Sequence, residues 1–122
     1  MKKIIFVFFV SFTSLTLHAQ LKNTKWKGTL NLENKIDVVF DYRNDTLEVI
    51  NSQDNSSIET MSYTIENNIL TLKKLSGQSD CDQAPGKYKF EINNNTLTIA
   101  LVLDACDDRA PILDNSKWTK IK

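Results

Sequence analysis

The chain has 122 residues, with 15 basic side chains, 15 acidic side chains and a single histidine. This length suits one domain, and the balanced charge lacks the clustered basic face that nucleic-acid binding needs. The histidine, His18, lies in an N-terminal segment that we expect to be removed, which excludes Ser-His-Asp and Cys-His catalysis and histidine-ligated zinc or copper from the mature chain.

Residues 1–19 have the pattern of a secretory signal peptide. Two lysines form a short basic start, residues 4–10 are unbroken apolar sequence, and Ala19 supplies a small residue for cleavage. Serine and threonine interrupt the segment, which favours a signal over a membrane-spanning helix. Removal leaves one domain of 103 residues, 20–122, with 13 basic and 15 acidic side chains. We expect this domain to be periplasmic or secreted, with no membrane span.

The rest of the chain alternates apolar and polar residues with a period of two, which is typical of half-buried β-strands. Asparagine-rich turns such as Asn67-Asn68 and Asn93-Asn94-Asn95 separate the runs and suit tight hairpins, because asparagine tolerates positive φ. After the signal, no window shows the period and capping residues of a helix. Eight predicted strands occupy residues 26–32, 36–42, 46–50, 60–65, 69–75, 87–92, 96–101 and 118–121.

Two longer connections, Ser76–Pro85 and Asp104–Asn115, interrupt this regular spacing, and each carries one cysteine. Cys81 and Cys106 are the only cysteines, and an exported chain with an even number most simply pairs them. The bond would close a loop of about 25 residues and stabilise the fold by roughly 3–4 kcal/mol on the chain-entropy model.

Eight strands joined mostly by short hairpins form an antiparallel meander. A flat sheet would leave the first and last strands as open edges, and closure into an up-and-down barrel removes both edges. The starts of these two strands also match, Asn23-Thr24-Lys25-Trp26 against Asn115-Ser116-Lys117-Trp118, which favours pairing at a seam. We therefore predict an all-β, eight-stranded antiparallel up-and-down barrel, with a two-sheet sandwich as the alternative.

Four motifs spread over most of the mature chain carry a family resemblance. They are Leu21-x-x-Thr24-x-Trp26-x-Gly28, Gly86-x-Tyr88-x-Phe90-x-Ile92, Asn95-x-Leu97-Thr98-Ile99-x-Leu101 and Asp104-x-Cys106-x-x-Arg109. In these motifs the chain resembles small exported bacterial lipocalin-like proteins of the calycin group. Lipocalins proper carry Gly-x-Trp, where this chain has Trp26-Lys27-Gly28. The resemblance implies an antiparallel barrel whose interior takes a small apolar ligand.

The inward face of the predicted barrel is the first candidate site. Ligand sites are apolar with a few polar groups, and the tyrosines on this face favour a pocket because a buried phenol needs a hydrogen-bond partner. A filled core is the alternative, since small eight-stranded barrels have interiors just wide enough for side chains. The residues predicted to line a ligand are Trp26, Tyr42, Tyr63, Tyr88 and Phe90.

The acidic loops are the second candidate site. Pairing of the two cysteines would bring together Asp80, Asp82, Asp104, Asp107 and Asp108. Oxygen ligands suit Ca²⁺, but the spacing lacks the glycine and the distal glutamate of a calcium loop, so we expect no metal and no other cofactor. Arg109 can instead hold a carboxylate or loop carbonyls. We interpret Asp104 and Arg109 as a structural clasp, and the resemblance places both in a recurring loop after the seventh strand.

The predicted function is non-catalytic binding of a hydrophobic small molecule or lipid in the barrel interior of a monomer. We expect no enzyme, because every carboxylate falls at an outward strand position or in a loop, away from the apolar burial that raises a catalytic pKa. The alternative is a protein-interaction module, such as a protease or lysozyme inhibitor, that acts through loops 76–85 and 104–115. An interior filled by tryptophan and tyrosine would favour the interaction module.

Overall fold

The computed structural model describes residues 21–122, which form a closed barrel of eight strands. The expected signal peptide lies outside the described residues. Each strand pairs antiparallel with the next, and the last pairs with the first, so the up-and-down barrel is confirmed and the sandwich is excluded. The strands are β1 (Thr24–Asn31), β2 (Lys35–Tyr42), β3 (Thr46–Asn51), β4 (Ser57–Glu66), β5 (Ile69–Gly77), β6 (Gly86–Asn93), β7 (Thr96–Leu103) and β8 (Ser116–Lys120).

Asparagine supplies the backbone geometry of the turns. Left-handed backbone conformations are costly for most L-residues, and asparagine reaches them more readily than most others. The turns β4–β5 and β6–β7 contain two residues each, as expected for tight hairpins. Within residues 21–122, the non-glycine residues with positive φ are all asparagines, at φ between 56° and 59°: Asn23, Asn55, Asn67, Asn94 and Asn115.

The barrel closes where β1 meets β8, beside a glycine. A Cβ at Gly28 would lie 2.7 Å from Cζ3 of Trp118, so any larger residue would push the indole away from β1. The Trp118 ring also stacks on Phe40, with 3.8 Å between the ring centroids. The seam therefore depends on one glycine that admits one tryptophan into the core.

The likeness between the starts of β1 and β8 extends to their hydrogen bonds. In both, an asparagine with positive φ precedes a hydroxyl residue, Thr24 or Ser116. These hydroxyls accept hydrogen bonds from the indole N–H two residues later, at 2.8 and 2.9 Å. They also donate to the carbonyls of Leu21 and Leu113, three residues earlier. Each buried tryptophan thus has its one polar atom satisfied locally.

Up-and-down connectivity places both long connections at the same end of the barrel, because successive connections alternate between the two ends. Residues 78–85 link β5 to β6, and residues 104–115 link β7 to β8. We call this end the loop end. The connection 104–115 also contains a short helix, α1 (Ala110–Leu113).

Three local predictions were wrong. The period-two pattern predicts Leu101 on the inward face with Leu97 and Ile99. It is instead 38% exposed, because β8 pairs with β7 only as far as Ile99 and leaves the end of β7 uncovered. Ile121 lies outside β8 and is 49% exposed. The helix α1 was not expected, since a single turn is too short to show a helical period.

Candidate functional site

A disulfide joins the two long connections at the loop end, as the cysteine count predicts. Cys81 and Cys106 are bonded, with their Cα atoms 5.4 Å apart and a sequence separation of 25. Beside the disulfide, the Asp80 backbone N–H donates to Oδ2 of Asp108 at 2.7 Å. The disulfide is compatible with an exported protein, since exported compartments are oxidising.

A buried ion pair within the connection 104–115 holds an arginine that adds a third link between the connections. The Arg109 Nε atom lies 2.5 Å from Oδ2 of Asp104, and their side chains are 5% and 1% exposed. The Nη2 atom donates to Oδ1 of Asp104 at 2.9 Å and to the carbonyl of Ala84, in the other connection, at 3.0 Å. This is the paired geometry that a planar guanidinium makes with a carboxylate. We call Asp104, Arg109 and Ala84 the clasp.

Tyr88 connects the clasp to the barrel wall. Its hydroxyl donates to Oδ2 of Asp104, and the Cys106 backbone N–H donates to Oδ1 at 2.9 Å. Burial opposes ionisation of Asp104, but hydrogen bonds from Arg109, Tyr88 and Cys106 outweigh it and hold the pKa of Asp104 below its ordinary value. The Asp104 carboxylate in turn raises the pKa of Arg109. Burial, followed by the hydrogen bond to Asp104, raises the pKa of Tyr88. At neutral pH the group therefore consists of a carboxylate, a guanidinium and a neutral phenol.

A cleft of about 310 Å³ opens at the loop end beside the clasp. This volume is near the lower end of the range for ligand sites, about 300–1,000 Å³. Polar atoms come from both long connections and from β4. The apolar lining residues are Leu30, Leu32, Phe40, Val49, Ile58, Met61, Ile112 and Leu113, and the polar ones are Glu59, Gln78, Ser79, Asp108 and Arg109.

Glu59 is a buried carboxylate that sequence analysis missed. It lies on the inward face of β4 with Met61 and is 8% exposed, so the expectation that every carboxylate points outward or lies in a loop was wrong. The predicted strand began at residue 60, whereas β4 begins at Ser57 and carries the same alternation back to Glu59. The Ser79 hydroxyl donates to this carboxylate, and Lys74 Nζ lies 4.0 Å from it.

The five predicted lining residues lie in the core and not at the cleft. Trp26, Tyr42, Tyr63, Tyr88 and Phe90 are each at most 7% exposed, and none is among the residues that line the cleft. Most of their polar atoms bond internally; for example, the Tyr63 hydroxyl donates to the backbone carbonyl of residue 43. The aromatic part of the interior is therefore packed, while the cleft lies at the loop end. The long connections at that end were the only sequence signal for its position.

Two buried side-chain atoms among residues 21–122 have no hydrogen-bond partner: the Tyr42 hydroxyl and Nη1 of Arg109. Tyr42 packs edge-on against Tyr63, with 5.3 Å between ring centroids, and burial, then the neighbouring Tyr63, raises its pKa. Arg109 differs because it also lines the cleft. Its free donor is therefore on a side chain that a bound molecule can contact.

The acidic side chains of the two long connections are not grouped as metal ligands. Asp80, Asp82, Asp107 and Asp108 line a second pocket together with the disulfide. Yet across residues 21–122, no three histidine, cysteine, aspartate or glutamate side chains are grouped so as to hold a metal ion. In the same part of the chain, no helix combines the length and apolar character needed to cross a bilayer.

Comparison with known proteins assigns the chain to no family. No protein-family model, no curated protein and no solved structure matches it. The resemblance to lipocalin-like proteins therefore rests on the sequence motifs alone.

Proposed function

We propose that the protein is a lipocalin-like, non-catalytic binder of a small apolar molecule, which occupies the cleft at the loop end. The observation that carries the proposal is the lining of this cleft. Apolar side chains from β1–β4 and α1 surround it, and a few polar groups, including Arg109 and Glu59, lie among them. Ligand sites have this composition. The volume favours a compact ligand or a short alkyl chain over a whole lipid.

The state of the two buried carboxylates at the loop end, Asp104 and Glu59, supports a role without catalysis. A general acid at neutral pH needs a raised pKa. The pKa of Asp104 is instead held low, because its hydrogen bonds outweigh its burial. Glu59 is engaged by the Ser79 hydroxyl and lies near Lys74. The Asp104 carboxylate is therefore not poised as a general acid, and the Glu59 carboxylate is already hydrogen-bonded within the protein.

The proposal also includes export of the protein from the cytoplasm. The signal-like pattern of residues 1–19 and the Cys81–Cys106 bond both support a periplasmic or secreted protein. In such a setting, a small barrel with pinned loops binds a ligand with little loss of loop entropy.

A cleft-filling variant tests the proposal. Val49 is 4% exposed and lines the cleft, so Val49→Phe should occupy the space and abolish binding. Val39→Phe adds the same group to the half-exposed outward face of β2 and should bind like the wild type. Native mass spectrometry of protein purified from its own cell measures bound ligand. Trp118 fluorescence reports on occupancy, since Trp118 stacks on the cleft residue Phe40. A clean apo mass, with no fluorescence response to alkyl or aryl molecules, would contradict the proposal.

A second candidate function is supported by two observations. The first is the packed aromatic interior, which favours an interaction module. The second is an exposed apolar run. Beyond the end of β8, the run Leu101-Val102-Leu103 is 38%, 54% and 69% exposed and continues directly into the connection 104–115. Contiguous exposed apolar residues and open strand edges favour protein contacts. The alternative is therefore an interaction module, such as a protease or lysozyme inhibitor, that acts through the pinned loops and this run.

Surface variants separate the second candidate from the first. Leu103→Asp should weaken inhibition of a target protease or lysozyme and leave ligand binding intact. Val49→Phe should abolish ligand binding and leave inhibition intact. Ile121→Asp places the same charge on another exposed apolar site and should change neither inhibition nor ligand binding. Inhibition assays against purified enzymes measure the effect. If Leu103→Asp inhibits as well as the wild type, the run takes no part in inhibition.

A further inference from the structure

We infer that the cleft selects apolar molecules that carry a neutral oxygen acceptor, such as a ketone or ester carbonyl, and that Nη1 of Arg109 donates to this oxygen. The inference rests on the proposed function, because it specifies the ligand class for the same cleft.

The first observation behind this inference is an unpaired hydrogen-bond donor on Arg109. A guanidinium presents its five N–H groups in a fixed, planar fork. In Arg109, Nε and Nη2 form one edge of the fork and bind Asp104, and Nη2 also binds the Ala84 carbonyl. Nη1, away from that edge, is buried and has no partner. A buried donor without an acceptor is destabilising, so the oxygen atom of a ligand that displaces the atoms now covering Nη1 would bind there favourably.

The charge around the cleft decides which kind of oxygen fits. Glu59 and Asp108 line the cleft, and Asp104 already neutralises Arg109. Lys74 is the other cation near the site, 4.0 Å from Glu59. Three carboxylates thus face two cations. A ligand carboxylate would add a fourth negative charge in a partly desolvated site, whereas a carbonyl oxygen accepts the same hydrogen bond without added charge.

The apolar walls define the rest of the ligand. Leu30, Val49, Met61 and Ile112 offer aliphatic contacts, so an unbranched alkyl chain next to the carbonyl suits the cleft. A cationic head group would have no oxygen to offer Nη1 and would lie near the Arg109 charge. The expected ligand is therefore a neutral, short-chain carbonyl compound.

A matched set of probes tests this selectivity on the wild-type, disulfide-bonded protein. Methyl hexyl ketone carries the carbonyl, the isosteric alkene replaces its oxygen with a methylene group, and heptanoate replaces its methyl group with a charged oxygen. NMR titration measures each affinity and follows the Arg109 guanidinium resonances. The ketone should bind about tenfold more tightly than the alkene or heptanoate, as expected for a hydrogen bond from a charged donor. It should also shift the Nη1 proton resonances of Arg109.

Two variants assign the selectivity to the residues named. Arg109→Lys keeps a cation near Asp104 but removes Nη1, so the ratio of ketone to alkene affinity should fall close to one. Because this variant risks loosening the clasp, the wild-type titration remains decisive if it does not fold. Glu59→Gln should raise heptanoate affinity relative to the ketone. Glu66→Gln, at the exposed far end of the same strand, should not.

The outcomes distinguish this inference from the proposed function. Equal affinity for ketone and alkene, tighter binding of heptanoate, or an unchanged Arg109 resonance would overturn the inference and leave the cleft as a ligand site. Failure of all three probes to bind would overturn the proposed function and, with it, the inference.

Discussion

Asp104 is the residue on which most contacts at the loop end converge. Its two oxygens accept hydrogen bonds from Arg109, from the Tyr88 hydroxyl and from the Cys106 backbone. A Cβ at Gly86 would overlap this carboxylate, so the glycine at the start of β6 makes room for it. One buried carboxylate thus fixes the arginine that lines the cleft.

The low pKa of Asp104 predicts a loss of stability in acid. The folded pKa lies below the value for aspartate in the unfolded chain, about 3.9. The ion pair therefore contributes fully to stability above that value and loses its contribution as the pH falls through the folded pKa. We expect the free energy of unfolding to decline below about pH 4. Urea denaturation at a series of pH values measures this decline.

Asp104→Asn should reduce the acid-dependent decline and also lower stability at neutral pH by about 3 kcal/mol, because the Arg109 charge stays buried without its partner. Asp54, whose pKa is lowered by hydrogen bonds from Ser56, is fully exposed and provides the control. Asp54→Asn should change the decline far less, since solvent screens an exposed carboxylate. An acid decline of full size in Asp104→Asn would show that the clasp is not its source.

At the scale of elements, the starts of β1 and β8 are two copies of one structural unit. Each has an asparagine with positive φ, a hydroxyl residue, a lysine and a buried tryptophan. The hydroxyl bridges a carbonyl three residues earlier and the indole N–H two residues later. Because β1 and β8 meet at the seam, the two units flank the point where the barrel closes.

Ser116→Ala tests the contribution of this unit. The substitution leaves the Trp118 indole N–H and the Leu113 carbonyl without their partner, and we expect a loss of about 1–3 kcal/mol in the free energy of unfolding. Ser116→Thr should retain most of the stability, because Thr24 fills the same role at the start of β1. Thermal denaturation of both variants measures the difference. If alanine is tolerated as well as threonine, the hydroxyl bridge does not stabilise the seam.

The sequence predicts the strands well because a half-buried strand shows a direct alternation of apolar and polar residues. The failures have local physical causes. Glu59 was missed because a carboxylate at an inward position breaks the apolar pattern that marks a strand start. Leu101 was assigned to the core because alternation does not reveal where the neighbouring strand ends. The helix α1 has only four residues, fewer than a helical period needs to be visible.

At the scale of the whole molecule, the pairing of residues was easier to predict from sequence than the location of the cleft. Cys81 and Cys106 could be paired because the chain has no other cysteine, and Asp104 and Arg109 could be grouped because the family resemblance places both in one loop. The cleft could not be located, since it depends on how Val49 and Met61 of neighbouring strands meet α1 across the loop end. Its one unpaired donor, Nη1 of Arg109, is visible only once the partners of the other guanidinium nitrogens are known.

The disulfide provides the last prediction, at the scale of the whole domain. It joins the two long connections, at a sequence separation of 25, and closes the loop of chain that contains β6 and β7. Reduction should lower stability by roughly 3–4 kcal/mol and the melting temperature by more than about 10 °C for a domain of this size. The barrel should still fold, because the clasp and the Asp80–Asp108 hydrogen bond link the same connections. Calorimetry with and without reductant measures the shift.

The Cys81→Ala/Cys106→Ala variant is the control. It should melt like the reduced protein and not respond to reductant. An unchanged melting temperature after complete reduction would mean that the noncovalent links alone hold the loop end.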